Sequence, residues 1–412
     1  MMSGNSGCRE RLVVVGNGIA AMRTLEALVS RVPWRYEVTV IGAEPHPNYN
    51  RILLSSVLAG ERTIGEIVTH AQAWYAEHGV RLHTGNPVTA IDRTANTVSI
   101  AGTGAAVPYD KLLLATGSKP LAPPIPGLDL PDVCAFRDLA DTEAMISASK
   151  RHRRAIVIGG GLLGLEAAWG LRRRGMVVAV VHLMPTLMER QLDMVAGEML
   201  RHDLQSRGIA FFTNAQTEAI LGSEGVEGVQ LADGRQIAGD LVVIAIGIRP
   251  NVDLAAAAGL DVNRGILVGD DMRTSDPKVY AVGECVEHNG QVFGLVAPIW
   301  EQAEVCSARL AGDEAAVYLP SSVLTSLKIT GVNVFSAGAL AAEDDADEEL
   351  ALHDPRCGIY KKLVLRGGRI VGCVLYGDVA DGSWFVELMR DKADVSAFRD
   401  RIVFGRDFAE AA

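Results

Sequence analysis

Arg11-Leu12-Val13-Val14-Val15-Gly16-Asn17-Gly18-Ile19-Ala20-Ala21 reads as an apolar strand that ends in a glycine-rich turn and opens a helix. The phrase returns roughly one domain later as Ala155-Ile156-Val157-Ile158-Gly159-Gly160-Gly161-Leu162-Leu163-Gly164. A turn of this kind lets the backbone come close to a pyrophosphate, and the next helix points its N–H groups and positive end at the charge. One copy is a weak signal. Two copies in a strand–turn–helix context predict two dinucleotides held at once, and a chain holding two is most simply one that passes electrons between them.

The neighbouring sequence supports the duplication. Around the first turn, Leu12–Val15 is read as a buried strand, and a helix runs from about Ile19 to Ser30 with Met22, Leu25 and Val29 on one side. Val38–Ile41 is the next parallel strand. Around the second turn come strand Ala155–Ile158, helix Leu162–Arg173, a turn at Gly175 and strand Val177–Val181. Each unit is followed by a buried strand ending in Ala-x-Gly: Ala115-Thr116-Gly117 after the first, Ala245-Ile246-Gly247 after the second. Such internal repetition weighs more than either phrase alone. The proline cluster from Pro120 to Gly127 reads as a stiff linker. From about Val323 the pattern turns to antiparallel β, with a hairpin of Lys361–Leu365 and Ile370–Leu375 around Gly367-Gly368. A helix is expected from about Ser383 to Asp391. Residues Glu343 to Glu349 hold six carboxylates in seven positions and read as a solvated loop. The fold class is therefore α/β: two Rossmann-like dinucleotide-binding domains plus a C-terminal α+β domain.

Bulk properties exclude several classes. The 412 residues are 49% apolar and 22% charged, ordinary for a folded protein with real cores. A net charge of −11 argues against wrapping nucleic acid or adhering to an anionic membrane. No apolar run approaches the ~20 residues of a membrane span. The small, polar start from Met1 to Cys8 is read as a frayed tail, and the chain as cytoplasmic. Cys8, Cys134, Cys285, Cys306, Cys357 and Cys373 match no zinc or iron–sulfur spacing, so they are read as buried reduced thiols and no metal is expected.

Further phrases carry a resemblance: Glu44-Pro45-His46-Pro47-Asn48-Tyr49-Asn50-Arg51, Ala115-Thr116-Gly117-Ser118, Gly160-Gly161-Leu162-Leu163-Gly164-Leu165-Glu166, Glu189-Arg190-Gln191-Leu192-Asp193, Thr274-Ser275-Asp276-Pro277 through Gly283-Glu284-Cys285, and Gly294-Leu295-Val296-Ala297-Pro298. In this order they resemble FAD-dependent pyridine-nucleotide oxidoreductases of glutathione-reductase-like architecture. They are most similar to the FAD/NAD(P)H module of NAD(P)H-dependent assimilatory nitrite reductase large subunits. The resemblance implies a discontinuous FAD-binding domain over 9–120 and 248–320, an NAD(P)H-binding domain over 121–247, and a C-terminal interface-type domain over 321–405, through which a homodimer could form.

For FAD, the resemblance implies Gly16, Gly18 and Ala21 at the pyrophosphate, Glu44 on the adenosine ribose, and Arg51 near the isoalloxazine or pyrophosphate, either in contact with the cofactor or in a simple salt bridge. Ala115, Thr116 and Gly117 line the site, Gly283 and Glu284 meet the ribitol chain, and Ala297 lies near the flavin pyrimidine. For NAD(P)H it implies Gly159, Gly161 and Gly164 at the pyrophosphate, with Gly247 beside them. His182 falls at the end of the next strand, where an NADH-selective protein places Asp or Glu for the ribose 2′-OH; a histidine there can donate to a hydroxyl or, protonated, accommodate a 2′-phosphate, so NADH and NADPH both stay open. Glu166 faces the cleft where nicotinamide meets flavin; with Arg51 it is the catalytic candidate.

Disulfide reductases of this architecture place a redox cysteine after the first unit. Here that stretch, Asn50-Arg51-Ile52-Leu53-Leu54-Ser55-Ser56, holds no thiol. The resemblance therefore implies hydride taken from NAD(P)H onto FAD and electrons leaving from the flavin edge to a separate redox protein. That acceptor is expected to be a nitrate or nitrite reductase subunit, a ferredoxin or a rubredoxin. No cysteine follows Asp378, so no cluster or sirohaem ligand set is expected, and the chain is read as an electron supplier. Alternative readings are an NADH oxidase, and a non-catalytic module that responds to NAD(P)H by changing its contacts with a partner.

Overall fold

The computed structural model describes residues 9–104, 106–320, 324–329 and 331–410, so the expected tail from Met1 to Cys8 lies outside the described residues. The chain forms two compact units: one of Met1–Leu54, Arg62–Lys119 and Ile248–Ser321, the other of Ser55–Glu61, Pro120–Gly247 and Ser322–Ala412.

The first unit is built on a five-stranded sheet in the order Val279–Ala281, Lys111–Leu114, Glu10–Val15, Tyr36–Ile41, Arg81–His83, every pair parallel. Parallel strands covered on both faces call for continuous apolar runs rather than alternation. Leu12, Val14, Leu112, Leu113 and Leu114 are accordingly fully buried, each such side chain contributing roughly 1.5–3 kcal/mol. Helix Ile19–Arg31 buries Ala21, Met22, Leu25 and Leu28. Val29, expected on that stripe, is only half-buried, because the 3.6-residue period carries the inward face through Leu28.

The second unit repeats this plan: a parallel sheet in the order Val133–Ala135, Leu241–Ile244, Arg154–Ile158, Val177–Val181, Ile209–Phe212. In both sheets the strand that ends in the glycine turn is central. Each unit also carries a three-stranded antiparallel meander, Val88–Asp92 to Ala106–Pro108 in one and Thr217–Gly222 to Gln236–Ala238 in the other. The proline stretch, read as a linker, is tied to the second meander instead. Pro126 C=O accepts from Ile220 N–H at 2.9 Å, and Ile125, Leu128 and Leu130 pack on its core.

Residues from 324 onward form an antiparallel sheet in the order Leu324–Ile329, Val332–Gly338, Arg369–Tyr376, Ile359–Arg366, Asp347–Asp354. Gly367 and Gly368 turn the hairpin with φ of 54° and 72°, a region L-residues avoid. Helix Gly382–Arg390 lies on this sheet. The acidic run is more ordered than a solvated loop. Asp347 opens a strand and pairs with Arg366, Glu348 pairs with Arg399, and Glu349 pairs with Lys362. Of the cysteines, Cys285, Cys306 and Cys373 are buried and Cys134 is half-buried. Cys357 is exposed on a turn, and Cys8 lies outside the described residues.

Candidate functional site

In the first unit, Gly16 has φ 112°, and a Cβ added to it would stand 2.1 Å from the Ala115 carbonyl oxygen. Its N–H donates to Ile41 C=O at 2.8 Å, and Ala115 N–H donates to Val15 C=O at 2.8 Å. Only glycine meets both demands. Gly18 differs: nothing lies within 4 Å of where its Cβ would be. It opens helix Ile19–Arg31 with no side-chain cap and no acidic residue in the first turn. That helix end is thus left open to an anion.

The second turn repeats this atom for atom. Gly159 has φ 121°, its added Cβ would be 2.2 Å from Ala245 C=O, and its N–H donates to Val181 C=O at 2.8 Å. Gly161 faces open space and begins helix Leu162–Arg173, again with no side-chain cap and no acid in the first turn. Other long helices here do carry side-chain caps, Asp138 and Asp193 among them.

Around the first turn, several predicted residues converge. Gly283, with φ 93°, packs so close to Ala20 that a Cβ would come within 2.8 Å. Its N–H donates to the buried Gln302 side chain at 2.8 Å, from the helix Val296–Ala311 that also carries Ala297. Ser118 donates to Glu284 at 2.8 Å. Thr116 Oγ1 donates to Asn251 C=O, and Asn251 Nδ2 donates back to Thr116 C=O, both at 2.9 Å, which fixes the Ala115-Thr116-Gly117 bend. Glu44 accepts from Arg51 at 2.5 Å and from the Tyr49 hydroxyl at 2.6 Å. Arg51 therefore sits against the carboxylate read as a ribose acceptor. The half-buried Asn17 accepts from Tyr75 through Oδ1 at 2.8 Å, while its buried Nδ2 has no protein partner. An orphaned donor beside an open glycine cradle fits a phosphate-bearing ligand.

In the second unit, Gly164 allows the helix to approach the turn: a Cβ there would stand 2.1 Å from Gly159 C=O. Gly247, with φ 121°, ends the Ala-x-Gly bend and accepts from Leu121 N–H at 3.0 Å. Glu166, one turn into the helix, is mostly buried. Desolvation pushes its carboxyl up to about 7, against a hydrogen bond from Ser55 that pulls it down. The stretch that lacks a thiol thus supplies Ser55 to the candidate acid, a pairing the sequence does not signal. Helix Leu54–Leu58 lies along the same helix face. Gly170 abuts Leu58, and Arg174 donates to Leu58 C=O at 2.5 Å and Val57 C=O at 3.0 Å. Glu166, Gly170 and Arg174 are spaced four apart, a stripe legible in sequence had a partner been suspected.

His182 is placed differently from expectation. The paired hydrogen bonds of the two turns make Ile41 equivalent to Val181, so His182 matches Gly42, and the counterpart of Glu44 is Met184. His182 is buried. Its Nδ1 accepts from Gly160 N–H at 3.0 Å, and Nε2 faces Thr186 C=O and Glu189 at 3.1 Å. Both nitrogens are committed within the protein, so the ring braces the turn rather than offering a polar atom to a ribose. Met184 and Leu183 are the exposed side chains there.

The loop after His182 ends at Asp193, which caps helix Met194–Ser206 through Ala196 N–H at 3.0 Å. Asp193 also accepts from the Tyr360 hydroxyl at 2.6 Å and pairs with the buried Lys362 at 3.4 Å, both from the C-terminal sheet. Among the described residues no group of three or more His, Cys, Asp or Glu side chains is arranged to hold a metal ion, and no helix is long and apolar enough to cross a membrane.

Comparisons with known proteins agree with this geometry. A family model described as pyridine nucleotide-disulphide oxidoreductase matches residues 10–309, and one described as rubredoxin NAD+ reductase C-terminal domain matches 324–393. The nitrite reductase [NAD(P)H] of Bacillus subtilis (strain 168) is 49% identical over 388 residues, 94% of this chain and 48% of that protein. The assimilatory nitrate reductase electron transfer subunit of the same strain is 40% identical over 395 residues, 96% of this chain and 51% of that protein. The chain thus spans about half the length of these curated relatives. A solved ferredoxin reductase from Rhodopseudomonas palustris superposes with a TM-score of 0.85 at 26% identity, covering 93% of this chain and 96% of that one. Twin glycine turns of one geometry and a family match over most of the sequence lead to one conclusion: the chain belongs to the pyridine nucleotide-disulphide oxidoreductases and binds FAD and NAD(P)H.

Proposed function

We propose that this chain takes hydride from NAD(P)H onto FAD and passes the electrons to a separate redox protein in nitrate or nitrite assimilation. The observation that carries the reading is the pair of uncapped, acid-free helix ends behind Gly18 and Gly161 in a chain with no thiol at 50–56. FAD, once bound, supplies a group that accepts an electron pair as hydride and releases electrons one at a time.

The protein's share is binding and orientation. Gly16, Gly18 and Ala21 let the first helix end meet the FAD pyrophosphate, and Glu44, steadied by Arg51 and Tyr49, accepts from the ribose. Glu284, held by Ser118, is placed for the ribitol hydroxyls, and the open N-terminus of helix Val296–Ala311, with Ala297, for the pyrimidine edge. Gly159, Gly161 and Gly164 receive the NAD(P)H pyrophosphate, with Gly247 beside them. Glu166, carrying a carboxyl that changes charge near neutrality, holds the nicotinamide end. With no thiol in residues 50–56, electrons go straight to the acceptor protein. The names of the relatives favour a nitrate or nitrite reductase component, and the match over 324–393 is compatible with a rubredoxin-type acceptor.

Anaerobic titration of the flavin-loaded protein with NADH and with NADPH tests the proposal. The flavin should bleach and a one-electron dye should be reduced in turnover. A flavin bleached by neither nucleotide would refute it, and rapid oxygen consumption without added acceptor would redirect it to an oxidase.

A further inference from the structure

We propose that His182 is a positioning residue for the pyridine nucleotide: as a neutral ring it holds Gly160, the middle residue of the second glycine turn, in the orientation that binds pyrophosphate. The inference rests on the second turn being the nucleotide site.

The two turns solve one packing problem in opposite ways. In the first, the side chain belongs to the turn: Asn17 lies opposite Gly42, where an added Cβ would be 3.1 Å from Asn17 Cβ. In the second the pair is reversed, and Gly160 lies opposite His182, with an added Cβ only 2.7 Å from the ring. The middle carbonyl is anchored in both, by Asn48 Nδ2 at 2.8 Å in the first and by Met188 N–H at 3.0 Å in the second. Only in the second is the middle N–H also held by a side chain, through His182 Nδ1. Gly160 has no side chain of its own to restrain it, so this bond substitutes for the lost constraint.

The donor at Nδ1 fixes the tautomer. Gly160 N–H can only donate, so the ring proton sits on Nε2, which donates to Thr186 C=O and Glu189. A second proton would have to enter at Nδ1 and would face the Gly160 N–H donor to donor, breaking the brace. The strand end itself is fixed by its backbone, His182 N–H donating to Phe212 C=O at 2.8 Å and its C=O accepting from Ala215 N–H at 3.0 Å. Nucleotide affinity should therefore fall when the acceptor at Nδ1 is removed.

The test is calorimetric binding of NAD+ to the flavin-loaded protein at a fixed pH of about 8. His182→Asn keeps an acceptor at the Nδ1 position and should bind within about twofold of the parent. His182→Leu removes the acceptor and should bind roughly three- to tenfold more weakly, with flavin content unchanged. Binding by His182→Asn as weak as that of His182→Leu, or parent-like binding by His182→Leu, would overturn the proposal. No binding by the parent would remove the nucleotide assignment as well.

Discussion

The two glycine turns share a backbone yet differ in what they tolerate. At the third position of the motif the first turn carries Ala21, fully buried but accommodated, while the second carries Gly164, where a methyl would strike Gly159 C=O. At the middle position Asn17 and His182 approach the same space from opposite sides of the fold. Behind Asn17 stand Tyr75, Asn48, His70 and Glu26; behind Gly160 stand His182, Thr186 and Glu189. Backbone geometry for a pyrophosphate is thus compatible with quite different side-chain support, and that support is where the two units diverge chemically. The acid also differs: Glu44 in the first unit corresponds to Met184 in the second, so the second unit presents no carboxylate at that place.

Replacing the first glycine of each turn should separate the units most sharply. Gly159→Ala puts a methyl on a residue with φ 121° and 2.2 Å from a carbonyl oxygen, a strain of several kcal/mol. It should weaken NAD+ binding by roughly a hundredfold or more while flavin stays bound. Gly16→Ala should do the reverse and yield protein without flavin. If both variants lost both ligands, the turns would not be independent sites; flavin absorbance together with calorimetry reads the difference.

The next effect concerns Glu166, a raised carboxyl in the second unit, whereas Glu44 in the first is bonded by Arg51 and Tyr49. A carboxyl raised from 4.5 to about 7 keeps its proton longer in the fold than in the unfolded chain, so its ionisation removes stability as pH rises between those values. Glu166→Gln should therefore be more stable than the parent by about 3 kcal/mol at pH 8 and by less than about 1 kcal/mol at pH 5. It should also flatten the pH dependence of flavin reduction near neutrality. Equal stability gains at both pH values in denaturant melts would mean that the carboxyl is not raised.

The smallest effect tests the brace between helix Leu54–Leu58 and the second dinucleotide helix. A Cβ at Gly170 would lie 2.6 Å from Leu58 Cγ, so Gly170→Ala should cost about 1–2 kcal/mol despite the better helix propensity of alanine. In a Leu58→Ala background the same change should become neutral or stabilise by up to about 1 kcal/mol. A cost unchanged in that background would show that the two side chains do not oppose each other.

Much of the plan is legible in the chain because it depends on local chemistry. Val13–Val15 and Leu112–Leu114 can only be strands buried on both faces, and Gly16 and Gly159 announce turns that no other residue can make. The hairpin at Gly367-Gly368 follows for the same reason. The bonds of the His182 ring were not legible, because counting from a strand end cannot show which way a side chain turns. Ring burial and both of its bonds depend on Gly160 lacking a Cβ. The pairing of Ser55 with Glu166, the tether of Pro126 to the second meander and the reach of Tyr360 and Lys362 to Asp193 were likewise invisible. Each joins residues far apart in the chain by a single contact that leaves no periodic trace.

What the sequence determined alone is the doubled strand–turn–helix and its capacity for two dinucleotides, since positive φ, missing side chains and uninterrupted apolar runs are properties of residues and their neighbours. Only the tertiary structure decided how each turn is braced, which carboxyl is raised and where the second ribose-edge position falls. Those outcomes depend on burial and on hydrogen-bond partners that the fold alone brings together.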